Sequence, residues 1–248
     1  MSTSLRFAAV QCKARKGDWD ASASCLDDLL SRELTGASLI VCPEMALTGY
    51  VFADAAEALQ VAEPCGGRTF ALASKLARRH GSYLVIGYPE LAADGRLFNS
   101  ALIVAPSGDL LVNYRKRLLY EQDETWAHPG DTAYPLIETP FGSMTCGICM
   151  DLNDDRFIDF LFEANPEIVA FPTNWLDQGF DVRRYWRWRL QGYPCWLVAA
   201  NTYGEEAGTK FRGRSAILDP KGGTQAFAPA SGDCVLKTEP PRPTKTAN

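Results

Sequence analysis

The chain has 248 residues, of which 46% are apolar and 22% charged, with a formal net charge of −5. This is globular composition with enough apolar side chain for a large core, which excludes a tail, a linker or another disorder-prone segment. The charges are interspersed and form no broad cationic field, so neither nucleic acid nor a membrane surface is expected as a partner.

The N-terminal run from Met1 to Val10 returns to polar residues at Gln11 and Lys13, too soon for a signal-peptide core. No apolar run approaches the roughly 20 residues needed to span a bilayer, so a cytoplasmic protein is expected. Short apolar, β-branched or aromatic runs predict strands over 5–12, 38–42, 83–88, 97–105, 109–115, 134–138, 143–149, 167–171, 195–201, 214–218 and 233–237. Helical spacing over 20–34, 67–80, 153–164 and 181–192 places helices between some of them, so the class is α/β. Turn chemistry in Ala105-Pro-Ser-Gly-Asp109 and again in Asp219-Pro-Lys-Gly-Gly223 predicts two hairpins, hence antiparallel pairs beside the parallel ones. Residues 1–238 read as one domain, and the proline-rich stretch 239–248 as a flexible tail.

Eight cysteines (12, 25, 42, 65, 146, 149, 195 and 234) could pair, but several lie in apolar runs where a free thiol behaves as a small hydrophobe in a reducing compartment. Only two histidines exist, and both have structural readings. His80 closes a basic helix before a capping Gly81, and His128 lies in the turn Trp126-Ala-His-Pro-Gly130. Cys146-Gly-Ile-Cys149 has the form of a redox dithiol, although the chain is far longer than such a protein needs. A zinc site lacks a second ligand pair, and neither phosphate-cradling glycine motif occurs.

Three strand ends remain as places for reactive groups. After 38–42 comes Pro43-Glu44, a carboxylate that burial could turn into a base, or a cap for the next segment. After 109–115 comes Lys116, a candidate oxyanion holder with Glu124 eight residues on to orient it, or part of a solvated charge run. At the end of 143–149 stands Cys149, on a strand-to-helix turn where a thiol can be exposed and activated, or simply buried. In the arginine-rich helix 181–191, Tyr185 and Trp188 are expected to face the sheet while arginines pair with local carboxylates.

These three segments, in this order, resemble the nitrilase or carbon-nitrogen hydrolase superfamily. Pro43-Glu44 with Gly49-Tyr50, Tyr114-Arg-Lys116 and Gly147-Ile-Cys149-Met-Asp151 match its three motifs, and Phe171-Pro-Thr-Asn-Trp175 and Gly213-Arg-Ser215 extend the likeness along nearly the whole chain. The resemblance implies a four-layer α-β-β-α sandwich, no metal or organic cofactor, and a catalytic set of Glu44, Lys116 and Cys149, with Glu124 supporting the lysine and the Met150 main-chain N–H joining Lys116 at the oxyanion. The longer strings around these motifs look like the branch that deamidates N-terminal Asn and Gln, although Met150-Asp-Leu-Asn153 departs from the common family form. A peptide or protein N-terminus is then the expected substrate, with Asp151 the first candidate to bind its α-ammonium, Asp20 a weaker one, and Asn174 and Trp175 in the pocket. A small-molecule amidase, ureido hydrolase or nitrilase would use the same residues. A non-catalytic scaffold and the dithiol protein are the readings from other classes, and a homodimer fits the family habit.

Overall fold

The computed structural model describes residues 5–240. Its first strands are β1 (Phe7–Gln11), β2 (Leu39–Val41), β3 (Tyr83–Leu91), β4 (Leu97–Val104) and β5 (Leu110–Arg115). Then come β6 (Ile137–Thr139), β7 (Gly142–Cys146), β8 (Ile168–Thr173) and β9 (Trp196–Asn201). The last are β10 (Tyr203–Glu206), β11 (Thr209–Arg212), β12 (Ala216–Leu218), β13 (Thr224–Phe227) and β14 (Cys234–Thr238). The helices are α1 (Trp19–Glu33), α2 (Ala55–Leu59), α3 (Arg68–His80), α4 (Glu121–Glu124), α5 (Asp155–Ala164) and α6 (Val182–Arg189). All eleven expected strands, all four expected helices and both hairpins form; α2, α4, β10, β11 and β13 are additional.

Two six-stranded sheets result, ordered β14-β1-β2-β3-β4-β5 and β13-β12-β9-β8-β7-β6. Each holds a parallel trio, β1-β2-β3 in one and β7-β8-β9 in the other, flanked by antiparallel strands. The alternation of side chains along each strand builds the layers. Phe7, Ala9, Leu39, Val41, Val85 and Ile103 enter the core between the sheets, where Phe7 meets Trp196 edge-on at 5.7 Å. Their neighbours Ala8, Val10, Ile40, Leu84, Ile86 and Leu102 face outward against Leu26 and Leu30 of α1 and Leu76 of α3. On the far side, Phe157 and Leu161 of α5 and Trp186 of α6 cover the second sheet. This is the expected four-layer sandwich.

Local signals bound the helices, and the capping Gly81 is the one expected from the sequence. Asp18 accepts from the Ala21 N–H to open α1, and Gly81, at a left-handed φ of 61°, closes α3 after His80. The α6 expectation needs correction. Trp186, four residues after buried Val182, faces the sheet, whereas Trp188 is 59% exposed and Tyr185 half-buried. The arginines do pair locally, Arg183 with Asp181 and Arg189 with Asp155. Residues 241–248 of the expected tail lie outside the described residues.

Candidate active site

In each sheet the parallel trio points its C-terminal ends the same way, and two antiparallel steps return β5 to the direction of β3. Residues that follow β2, β5, β7 and β8 therefore collect at one end of the sandwich, where open α/β sheets place their chemistry. Glu44 follows β2, its loop held by Cys42 N–H to Val85 O and Ala46 N–H to Gly87 O. The loop passes so close to β3 that a Cβ on Gly87 would sit 2.6 Å from the Glu44 Cα. Lys116 follows β5 and donates its main-chain N–H to Asn99 O at 2.8 Å, which sets the Asn99 and Lys116 side chains beside each other.

The result is a buried ring of polar groups. Lys116 Nζ donates to Glu44 Oε1 at 2.8 Å and to Asp123 Oδ2 at 2.5 Å, with all three side chains fully buried. Asn99 Nδ2 donates to both carboxylates, to Glu44 Oε1 at 2.7 Å and Asp123 Oδ1 at 3.0 Å. Glu44 Oε2 accepts the Asn174 N–H at 2.8 Å, and the Asn174 side chain donates to the Glu44 main-chain oxygen at 2.9 Å. Burial pushes the Glu44 carboxyl above its ordinary range, only partly offset by Lys116. Burial alone would lower Lys116, but Asp123 and Glu44 outweigh it and hold the ammonium well above its usual value. An ammonium has three protons, and two are committed to carboxylates.

Glu124 is therefore not the partner of Lys116. It is exposed on the outer side of α4, while Asp123, one residue earlier, turns inward. The reason is the phase of a single helical turn. Asp123 Oδ2 also accepts the Tyr120 N–H at 3.0 Å, and that cap fixes which face of α4 meets the lysine.

Cys149 begins a 3-10 turn over Cys149–Asn153, separated from the end of β7 by Gly147 and Ile148, and its φ of 44° lies in the left-handed region. A non-glycine residue there is strained by about 1–3 kcal/mol and persists only if its surroundings impose it. Gly147 contributes, since a Cβ on it would meet the Phe157 ring at 2.7 Å. Asp151 contributes more. Its carboxylate accepts from Ile148 N–H at 2.9 Å, Tyr114 Oη at 2.7 Å, and the Arg117 and Leu118 N–H groups at 3.0 Å each. Asp151 is thus not available to an α-ammonium. It is fully buried and tied to four donors, and it fastens the cysteine turn to the segment after Lys116. Burial and the Glu44 charge push the Cys149 thiol up to about 12, against the pull of Lys116, the Thr173 hydroxyl and the Asn174 N–H.

Above the thiol opens a cavity of about 280 Å³ walled by Tyr50, Tyr120, Trp175, Phe180 and Tyr185, with Met150, Asn153, Asn174 and Gln178 among its lining. Trp175 and Asn174, both expected in the substrate pocket, line this cavity. Asp20 does not: it is exposed in the first turn of α1, outside that lining. The residues that sequence reasoning missed are Asn99, Asp123 and Tyr50, whose hydroxyl faces Asp123. Asn99 did leave a trace, as the first of two polar residues inside the apolar run 97–104.

Cys146 is buried in the core between the sheets, and its thiol is raised well above its ordinary value by burial and by Asp151. That is the opposite of an activated dithiol. Among the described residues no group of three or more His, Cys, Asp or Glu side chains converges to hold a metal ion, and no helix is long and apolar enough to cross a membrane. A larger cavity of about 460 Å³ between α6 and the 218–222 turn contains none of the residues of the cluster around Glu44, Lys116 and Cys149.

Comparison with known proteins bears on the family and the fold. The sequence profile described as carbon-nitrogen hydrolase matches residues 6–242. The chain is 30% identical over 237 residues to the "Hydrolase in pqqF 5'region" of Pseudomonas protegens, covering 94% of this chain and 82% of that protein. It is 28% identical over 207 residues to the protein N-terminal amidase of Saccharomyces cerevisiae, across 70% of this chain but only 45% of that relative. Among solved structures, an amidase from Nesterenkonia sp. superposes with a TM-score of 0.86 at 23% identity, covering 97% of this chain and 92% of the other, which is a likeness of fold.

Proposed function

The chain belongs to the carbon-nitrogen hydrolase family, and we infer from its site that it hydrolyses a primary carboxamide through a cysteine thioester. One observation carries the reading: Glu44, Lys116 and Cys149, from three different strand ends, share one buried cluster at the floor of a cavity. With a thiol that titrates near 12, Cys149 rests protonated at neutral pH and needs a base. Glu44 supplies it. Glu44 takes the thiol proton as sulfur attacks the carbonyl carbon, and gives that proton to the departing nitrogen, so that ammonia leaves and a thioester forms. Water then attacks the thioester, Glu44 accepts its proton and returns it to the thiolate, and the carboxylic acid is released.

The oxyanion of each tetrahedral intermediate is held by the third Lys116 proton and by the Met150 N–H, which lies in the first turn of a helix and has no intrahelical acceptor. These donors are positioned before substrate arrives, because Asn99, Asp123 and Asp151 fix the lysine and the cysteine turn. The test is ammonia release from simple primary amides, with intact-mass detection of an acyl-enzyme. The reaction should vanish in Cys149→Ala, and release that survives this substitution would remove the thioester route.

A narrower reading, deamidation of N-terminal Asn or Gln, is suggested by the motif strings and by the likeness to the yeast protein, but no side chain lining the cavity offers the α-ammonium a charge. It requires a partner for the α-ammonium other than Asp151. Asn- and Gln-initiated peptides, free or acetylated at the N-terminus, decide it by whether ammonia release depends on the free amine.

A further inference from the structure

The walls of the cavity above Cys149 carry no charged side chain: its lining is aromatic, aliphatic or neutral polar. The charges beneath it are already committed. Glu44 Oε1 accepts from Lys116 and Asn99, and Oε2 from the Asn174 N–H. Asp123 Oδ1 accepts from Asn99, and Oδ2 from Lys116 and the Tyr120 N–H. The acids within the wall segment 176–181 are paired as well, Asp177 with Arg212 and Asp181 with Arg183, and Glu121, beside Tyr120, is exposed to solvent outside the lining. Part of the polar wall is paired internally, Tyr185 Oη donating to Asn153 Oδ1 at 2.6 Å and Asn153 Nδ2 approaching Met150 Sδ at 2.9 Å, while Asn174 Oδ1 is a buried neutral acceptor with no protein partner.

A substrate whose group beyond the amide bears an ammonium or a carboxylate would have to desolvate that charge against neutral walls, which costs far more than it returns. A flat or alkyl group, by contrast, gains contact with Trp175 and Tyr185, whose rings pack 5.4 Å apart, and with Phe180 at the rim. The volume, about 280 Å³, equals roughly nine waters' share of liquid volume, which suits a small acyl group rather than a long one. Building on the amidase reading above, we propose that this cavity selects uncharged carboxamides with a compact aromatic or alkyl group, and rejects those whose group beyond the amide is ionised, an N-terminal α-ammonium included.

The experiment compares kcat/KM for phenylacetamide and hexanamide with 6-aminohexanamide, adipic acid monoamide and free-amine Asn-Ala. The neutral amides should lead each charged one by more than about a hundredfold. Phe180→Asp, which puts a carboxylate on an exposed rim position, should raise the relative rate on 6-aminohexanamide at least about tenfold by giving the ammonium a partner. Charged amides within tenfold of the neutral ones, or free-amine Asn-Ala as the best substrate, overturn the proposal. The same ligands titrated calorimetrically into Cys149→Ala report the pocket independently of turnover. If no amide is hydrolysed, the amidase reading fails, and the order of affinities alone upholds or overturns the selectivity.

Discussion

Replacing Asp123 with Asn keeps the shape of the side chain and removes one of the two negative charges around Lys116. The ammonium sits 2.5 Å from Asp123 and 2.8 Å from Glu44, with all three groups out of contact with water. With an effective dielectric constant of about 20, the two attractions are each on the order of 6 kcal/mol, set against several kcal/mol of desolvation for every ion. Breaking a buried pair from one side costs about 3–5 kcal/mol. The lower end is expected here, because Glu44 also loses the like charge that helps to raise its pKa. A loss of about 3 kcal/mol corresponds to a fall in melting temperature of roughly 6–12 °C for a chain of this size. Turnover should drop by about a hundredfold, since the lysine proton aimed at the oxyanion is no longer fixed by a second carboxylate. Ammonia release and thermal melts of Asp123→Asn are to be read beside Glu124→Gln, which should stay within about 0.5 kcal/mol of the parent protein because that side chain is exposed. An inactive Glu124→Gln beside a fully active Asp123→Asn would refute this account of the lysine's support.

Gly87→Ala places a methyl 2.6 Å from the Glu44 Cα and 2.9 Å from the Met45 nitrogen, so circular-dichroism melts should show a loss of about 1–3 kcal/mol, with more than a tenfold fall in kcat; unchanged activity would mean that the Glu44 loop is not fixed by this contact. Asp151→Asn exchanges one of two acceptor oxygens for an NH2 that faces N–H donors, and should lower stability by about 1–3 kcal/mol without altering the ratio of rates on free and acetylated peptides. On the acid side, kcat/KM should fall as pH drops through a value above the ordinary 4.5 of a glutamate, because burial raises Glu44 and only its ionised form accepts the thiol proton. In Glu44→Gln the thiol loses its base together with the carboxylate charge that helps to raise it, but burial, the larger cause, remains, so alkylation of Cys149 by iodoacetamide should still be slower at neutral pH than in the parent protein; alkylation as fast as in the parent would show that the thiol needs no base.

The parts of the molecule that were legible in the sequence are those where a local signal and the tertiary environment agree. Buried parallel strands such as Ile168–Thr173 read as apolar runs whichever face they present, and Glu44 and Cys149 stand just beyond two such strands, β2 and β7, whereas Lys116 follows the half-exposed antiparallel edge strand β5. The strands β10 and β11 escaped notice because Tyr203–Glu206 and Thr209–Arg212 are charged and half-exposed, without a clean alternation. Asp123 was mistaken for its neighbour because α4 is four residues long, and one turn has no periodicity from which an inward face can be read. Asp151 illustrates another limit. A carboxylate two residues past a nucleophile reads as a ligand for substrate, and only the fold reveals that backbone donors from a distant segment have claimed it. In α6, Trp186 and Trp188 are equally apolar in sequence, and Val182 one turn before Trp186 was the residue that settled the buried face.

Glu44 and Lys116 belong to one sheet, Cys149 and Asn174 to the other, and Phe7 against Trp196 is among the contacts between them. The two halves of the reaction are thus mounted on separate rigid plates, and turnover measures how well the plates are aligned. A slip of one ångström between them would leave every strand intact while parting base from nucleophile. Catalysis should then fail on warming before the sheets themselves melt, and substitutions deep in the seam, far from any substrate, should weaken chemistry more than binding.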